Sequence, residues 1–119
     1  MGSAVEGVAV AKPGLIEGRH YTTYIEEIRA LKRSGDNEGA ARLLLRCIDA
    51  TEAESRAERW SVAPGYYWEL AVVYRKLGRL ADEAGVLERY KREALQHGSF
   101  GGQFAERLAK VRAKIERAK

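Results

Sequence analysis

Apolar residues recur along most of this chain with the three- and four-residue spacing of amphipathic helices. The strongest pattern lies in residues 66–77, YYWELAVVYRKL, whose helical face consists of Tyr67, Leu70, Ala71, Tyr74 and Leu77. Since the segment is apolar over most of its circumference, we expect it to lie between other helices and not at the rim of the fold.

Caps and breaks in the pattern predict five helices, at about 21–34, 37–58, 64–77, 80–97 and 102–117. Asp36 is a good N-cap for the second helix, and Pro64 suits the first position of the third. Gly35 and Gly78 follow the first and third helices, where a left-handed residue commonly ends a helix. The short connections favour antiparallel pairs, so the predicted fold is all-α, a stack of five helices.

The two ends of the chain have different patterns. Residues 1–18 contain five glycines or prolines among short apolar residues, which predicts a flexible N-terminal tail and a single helical domain at 19–119. The last predicted helix has one narrow apolar stripe with charged residues on its other faces, as a helix that caps a stack requires. That stripe consists of Phe104, Leu108, Val111 and Ile115.

The composition is that of a globular protein, with 45% hydrophobic and 32% charged residues. No apolar run approaches the roughly 18 residues that cross a bilayer, and no secretory signal pattern is present, so we expect a cytoplasmic protein without a membrane partner. The only cysteine, Cys47, lies on an apolar helical face, which predicts a buried structural thiol.

Two segments of the chain align with each other at an offset of 43 residues, which pairs Tyr24 with Tyr67. In this alignment each copy reads as a helix, a turn with glycine and a second helix. The second copy supplies Tyr67, Leu70, Ala71, Tyr74, Gly78 and Leu87, and the first supplies Tyr24, Leu31, Gly35, Ala40 and Leu44. With these residues, 20–97 resembles the tetratricopeptide repeat (TPR) family, and the segment is similar to TPR-like modules of bacterial proteins with unassigned function.

The chain departs from that family in its period, which is about 34 residues in TPR proteins. Glu27 and Ile28 also replace the leucine and small residue of the motif, and Glu83 replaces a small residue in the second copy. The extra length between the copies corresponds to the long end of the second helix and the loop that follows it.

The resemblance implies a protein–protein interaction module, because the first helix of each TPR pair lines a concave groove that binds peptides. Carried onto this chain, the lining positions include Thr22 and Gly65. The eight that we select as the candidate peptide-binding groove are Ile25, Arg29, Lys32, Arg33, Trp68, Val72, Arg75 and Lys76. Five of them are basic, so we expect a protein or peptide partner, with an acidic segment as one option. In the opposing interpretation the cations are solvated and Trp68 belongs to the core.

The charge distribution leaves two further hypotheses open. The net charge is +4, but residues 75–119 alone carry +6. A basic C-terminal third is compatible with a nucleic-acid partner, through Arg89, Lys91, Arg92, Arg107, Lys110, Arg112, Lys114 and Arg117. Self-association into a homo-oligomer is the other alternative, because short repeat arrays can stack to extend their core.

No motif in the sequence indicates catalysis. The two histidines, His20 and His97, fall at the predicted entrance and exit of helices, where capping is the ordinary role. The chain contains no glycine-rich phosphate loop, no nucleophile elbow and no HExxH motif. We therefore expect a protein that is not an enzyme and has no cofactor and no metal site.

Overall fold

The computed structural model describes residues 12–119, which form five α-helices after a short β-hairpin. The helices are α1 (Ile25–Arg33), α2 (Asn37–Glu58), α3 (Pro64–Lys76), α4 (Leu80–Gln96) and α5 (Gly102–Arg117). The predicted all-α class with five helices is confirmed. The first predicted helix is divided, since its first turn, Tyr21–Tyr24, is a 3₁₀ helix.

The hairpin consists of β1 (Leu15–Ile16) and β2 (Arg19–His20), which pair in antiparallel register. Both residues of its turn have positive φ, 50° at Glu17 and 84° at Gly18, as a type I′ turn requires. The hairpin is fixed because Ile16 is buried and its carbonyl accepts a 2.7 Å hydrogen bond from the Tyr24 hydroxyl. The prediction of a flexible tail at residues 1–18 is therefore wrong for residues 15–18, which belong to the hairpin. Residues 1–11 of the predicted tail lie outside the described residues.

The turns after α1 and α3 have the same backbone hydrogen bonds at an offset of 43 residues. Gly35 and Gly78 adopt left-handed φ values of 82° and 73°. The residue after each glycine donates its N–H over 2.9 Å to the carbonyl five positions back, Asp36 to Leu31 and Arg79 to Tyr74. Both turns are Schellman motifs. The two turns therefore correspond residue by residue at the offset of 43 that the sequence alignment gives.

The central position predicted for residues 66–77 is confirmed, because α3 packs against both α2 and α4. Tyr67, Leu70, Ala71 and Val73 are fully buried. The Tyr67 hydroxyl donates a 2.7 Å hydrogen bond to the Glu52 carboxylate, which lies on α2. Arg89 of α4 donates to the same carboxylate at 2.7 and 2.9 Å. One polar cluster therefore ties the three central helices together.

Helix α5 packs on α4 through the stripe predicted from the sequence. Leu108 and Val111 are buried, while Phe104 and Ile115 are half-buried against the core. Gly85 of α4 is exposed, and a Cβ at this position would have no neighbour within 4 Å, so close helix packing does not require the glycine. Among residues 12–119, none of the helices combines the length and apolarity that crossing a membrane demands.

Candidate binding groove between α1 and α3

A groove of about 570 Å³ lies between α1 and α3 and reaches the first turn of α5. Most of its lining is apolar or aromatic, and it consists of Ile25, Ile28, Arg29, Lys32, Leu44, Pro64, Gly65, Tyr66, Trp68, Glu69, Gln103 and Phe104. Ile25, in this lining, is 41% exposed. The groove thus presents apolar surface that residues 12–119 do not cover.

Helix periodicity explains which side chains form the walls. Ile25, Ile28, Arg29 and Lys32 recur at i, i+3, i+4 and i+7, so they share one face of α1. Both α1 and α3 pack against α2, and the buried Leu44 of α2 lies at the base of the gap between them. The groove therefore follows from the packing of two helices on a common third.

Aromatic side chains form the wall on the α3 and α5 side. The Trp68 ring meets the Phe104 ring edge-on at a centroid distance of 5.1 Å, and Phe104 is in turn 4.2 Å from Tyr90. The Arg107 guanidinium lies over the Trp68 ring, 4.9 Å from its centroid. Trp68 is held by these contacts on one side and lines the groove on the other, so it takes part in both packing and the groove.

The cations of the groove are largely compensated by carboxylates. Arg29 forms an ion pair of 2.8 Å with Glu26, and Lys32 pairs with Glu69 on the opposite helix. Burial raises the pKa of the Tyr66 hydroxyl to about 12, so that side chain is neutral at pH 7. The lining has two cations and one carboxylate, and its character is more apolar than the strongly basic groove expected from the sequence.

The structure divides the eight predicted groove residues into two sets. Ile25, Arg29, Lys32 and Trp68 line the groove. The other four lie elsewhere: Val72 is half-buried, Arg75 is bound to the buried Glu83, and Arg33 and Lys76 are exposed at the ends of α1 and α3. Within residues 12–119, neither Arg33 nor Lys76 forms an ion pair.

Sequence reasoning missed several lining residues. The spacing of Phe104 predicts a core position in the stripe of α5, and no local signal shows that the start of this helix reaches the gap between α1 and α3. Tyr66 and Glu69 are not among the positions that the TPR resemblance implies, although helical spacing places them at the same edge of α3 as Gly65 and Trp68. Phe104 reaches the groove only through the position of α5 in the folded structure.

His20 and Cys47 both make contacts within the fold. His20 caps the 3₁₀ helix, since its ring accepts from the Thr22 N–H at 3.3 Å, while its Nε2 lies 2.7 Å from Glu54. Cys47 is fully buried, and this burial raises the pKa of its thiol to about 11. In the part of the chain that the structure describes, no group of three or more His, Cys, Asp or Glu side chains is placed to hold a metal ion.

Comparisons with known proteins give no relative from which a function could be transferred. No protein-family model, no curated protein and no solved structure matches the chain. The resemblance to TPR proteins therefore stays a prediction that rests on the repeated motif.

Proposed function

We propose that this protein is a non-catalytic interaction module and that the groove between α1 and α3 binds a segment of another protein. The observation that carries this proposal is the apolar lining that residues 12–119 leave exposed, with Ile25 41% exposed beside an aromatic wall. The resemblance to TPR modules gives further support, because five of the ten lining positions that it implies, Gly65 and four of the selected residues, line this groove.

The volume and chemistry of the groove favour a short segment with bulky apolar side chains. A volume of about 570 Å³ is within the range of about 300–1,000 Å³ typical of ligand pockets. Burial of apolar side chains between Ile25 and Trp68 would supply most of the binding energy. Arg29, Lys32 and Glu69 contribute the charges of the lining, and because each is paired with an opposite charge they would influence orientation more than affinity.

A nucleic-acid partner has less support, because many cations of α4 and α5 are already engaged. Arg89 binds the carboxylates of Asp49 and Glu52. Two more of the eight candidate cations form ion pairs on the surface, Lys110 with Glu106 and Arg112 with Glu88. Phosphate contacts would have to compete with these carboxylates, so we favour a protein segment.

Selection of peptides from a random phage-displayed library on the full chain tests the proposal. We expect the enriched peptides to share a bulky apolar residue. The Ile25→Glu variant should weaken their binding by about tenfold or more, because it places a charge in the apolar groove. The matched control is Leu95→Glu, since Leu95 is also an exposed aliphatic residue, at 55%, but lies outside the groove.

Three results would contradict the proposal: no enrichment of a common motif, equal loss of binding in both variants, or no loss in Ile25→Glu. Circular dichroism of both variants checks that each is folded. Sedimentation of the wild-type chain distinguishes the self-association alternative, because a groove occupied by a second copy gives a dimer that Ile25→Glu dissociates.

A further inference from the structure

A fully buried carboxylate, Glu83 of α4, is shared by two arginines from different helices. Arg75 of α3 donates from Nε at 2.6 Å and from Nη2 at 2.9 Å, one bond to each carboxylate oxygen. Arg107 of α5 donates from Nε to one of these oxygens at 2.8 Å. The cluster therefore joins α3, α4 and α5 around a single negative charge.

This cluster has one positive charge in excess, because two guanidinium groups share one carboxylate. Several of their N–H donors remain available, since Arg75 Nη1 and both Nη atoms of Arg107 have no hydrogen-bond acceptor within residues 12–119. Both side chains also reach solvent, with exposures of 35% for Arg75 and 18% for Arg107. Such forked donors match the geometry of a carboxylate.

The cluster lies next to the groove. The Arg107 guanidinium is 4.9 Å from the centroid of the Trp68 ring, and Trp68 lines the groove on α3. Val72 and Arg75 follow Trp68 along α3 at i+4 and i+7, so the three residues share one face of that helix. A segment bound in the groove that continues along this face reaches the two arginines within about two helical turns, or roughly 11 Å.

We propose that Arg75 and Arg107 form an anion subsite for an aspartate or glutamate of the bound segment, next to its apolar anchor. The proposal rests on the function proposed above and specifies the chemistry of the partner. A carboxylate fits better than a phosphate, because the cluster offers one excess positive charge. Glu83 holds both guanidinium groups in place before binding, so little side-chain freedom is lost when the carboxylate binds.

A small probe without an apolar group tests the anion subsite separately from the groove. In the ¹⁵N-labelled full chain, the α-amide of N-acetyl-glutamate, which has a single carboxylate, is titrated while the Nε–H signals of the arginines and the indole N–H of Trp68 are followed by NMR. We expect saturable shifts at Arg75, Arg107 and Trp68. Unsaturable shifts of similar size at exposed arginines such as Arg112 would overturn the proposal.

Two variants show whether the response depends on the cluster. Arg107→Gln should weaken binding of the probe about fivefold or more, while Arg75 still neutralises Glu83 and the fold is kept. Arg112→Gln removes the same charge from the same helix, but Arg112 pairs with Glu88, so binding should stay within about twofold. Equal effects of the two substitutions would contradict a specific subsite.

Peptides connect the subsite with the groove. Two short end-capped peptides carry the same leucine anchor and differ only in glutamate or glutamine after it. If both bind through Ile25 but glutamate adds nothing, the subsite proposal fails and the proposed function stands. If the probe binds at Arg107 but neither peptide binds, the proposed groove function fails and the subsite stands as an anion site. We expect the glutamate peptide to bind more tightly, and Arg107→Gln to remove its advantage.

Discussion

The two helix–turn–helix units, α1–α2 and α3–α4, have matching turns but different faces. At the offset of 43 residues, Ile25 corresponds to Trp68, and Ala40 corresponds to Glu83. Ile25 is exposed in an open groove, whereas Trp68 packs on Phe104 of the next helix. Ala40 and Glu83 are both fully buried, so equivalent positions hold a methyl group in one unit and a carboxylate in the other.

This difference explains why a groove lies beside the first unit and a closed contact beside the second. The Trp68 ring contacts Phe104 of α5, and Glu83 binds both Arg75 of α3 and Arg107 of α5, so side chains bridge α3 and α5. The shorter Ile25 leaves the space between α1 and α3 open. The two units therefore have the same backbone turn, but the side chains at the positions of Ile25/Trp68 and Ala40/Glu83 determine which helix face remains exposed to a partner.

The largest loss of stability is expected when Glu83 of the second unit is replaced by alanine, the residue at the equivalent position of the first unit. Glu83→Ala leaves Arg75 and Arg107 as two close, partly buried cations without their partner. We expect a loss of about 3–5 kcal/mol in the free energy of unfolding, measured by urea denaturation. The control is Glu38→Ala, since Glu38 is 57% exposed in its ion pair with Arg79 and should contribute less than about 1 kcal/mol. A loss below about 1 kcal/mol for Glu83→Ala would contradict the role of the cluster.

A smaller effect is expected at the contact between the two units, where Glu52 of α2 binds Tyr67 of α3 and Arg89 of α4. Burial alone would raise the pKa of Glu52, but the hydrogen bonds from Arg89 and Tyr67 outweigh it, so the pKa is lowered. We expect Glu52→Gln to lower the free energy of unfolding at pH 7 by about 2–3 kcal/mol, because a hydrogen-bonded ionic contact is lost.

The pH dependence provides the sharper test of this contact. Because the folded-state pKa lies below the ordinary value of 4.5, the stabilisation is fully present above about pH 4.5. It is lost as the pH falls through the lower folded value. In thermal melts between neutral pH and pH 2, the difference in melting temperature between wild type and Glu52→Gln should become smaller as the pH falls. A difference in melting temperature that does not change with pH would exclude the ionised Glu52 carboxylate as the source of the stabilisation.

The smallest change in stability is expected at the glycine turn that the two units share. Gly35→Ala and Gly78→Ala place a Cβ at φ values of 82° and 73°, where no other atom lies within 4 Å. The strain is then local, and we expect each substitution to lower the free energy of unfolding by about 1 kcal/mol. Gly85→Ala, in the interior of α4, should instead raise it by about 0.5–1 kcal/mol. Unequal losses at Gly35 and Gly78, measured by urea denaturation, would show that the turns are not energetically equivalent.

Local signals in the sequence predicted the helices and their ends well. Asp36 caps α2 through a 2.8 Å hydrogen bond to the Gly39 N–H, and α3 begins at Pro64, as the patterns indicated. The hairpin was missed because its turn, Glu17–Gly18, lacks the Asn-Gly or Asp-Gly pair that usually signals a type I′ turn. Its strands are only two residues long, so they leave no alternating pattern to recognise.

The sequence by itself determined the class of fold, the repeat offset and the central position of α3, because hydrophobic periodicity and helix caps act over a few residues. Only the tertiary structure decided which predicted site residues meet. It turned Arg75 toward the buried Glu83, left Ile25 exposed and brought Phe104 to the groove. The physical reason is that ion pairs and grooves depend on the distance between helices that are far apart along the chain. That distance is determined by the size of the side chains between the helices and by the position of the next helix.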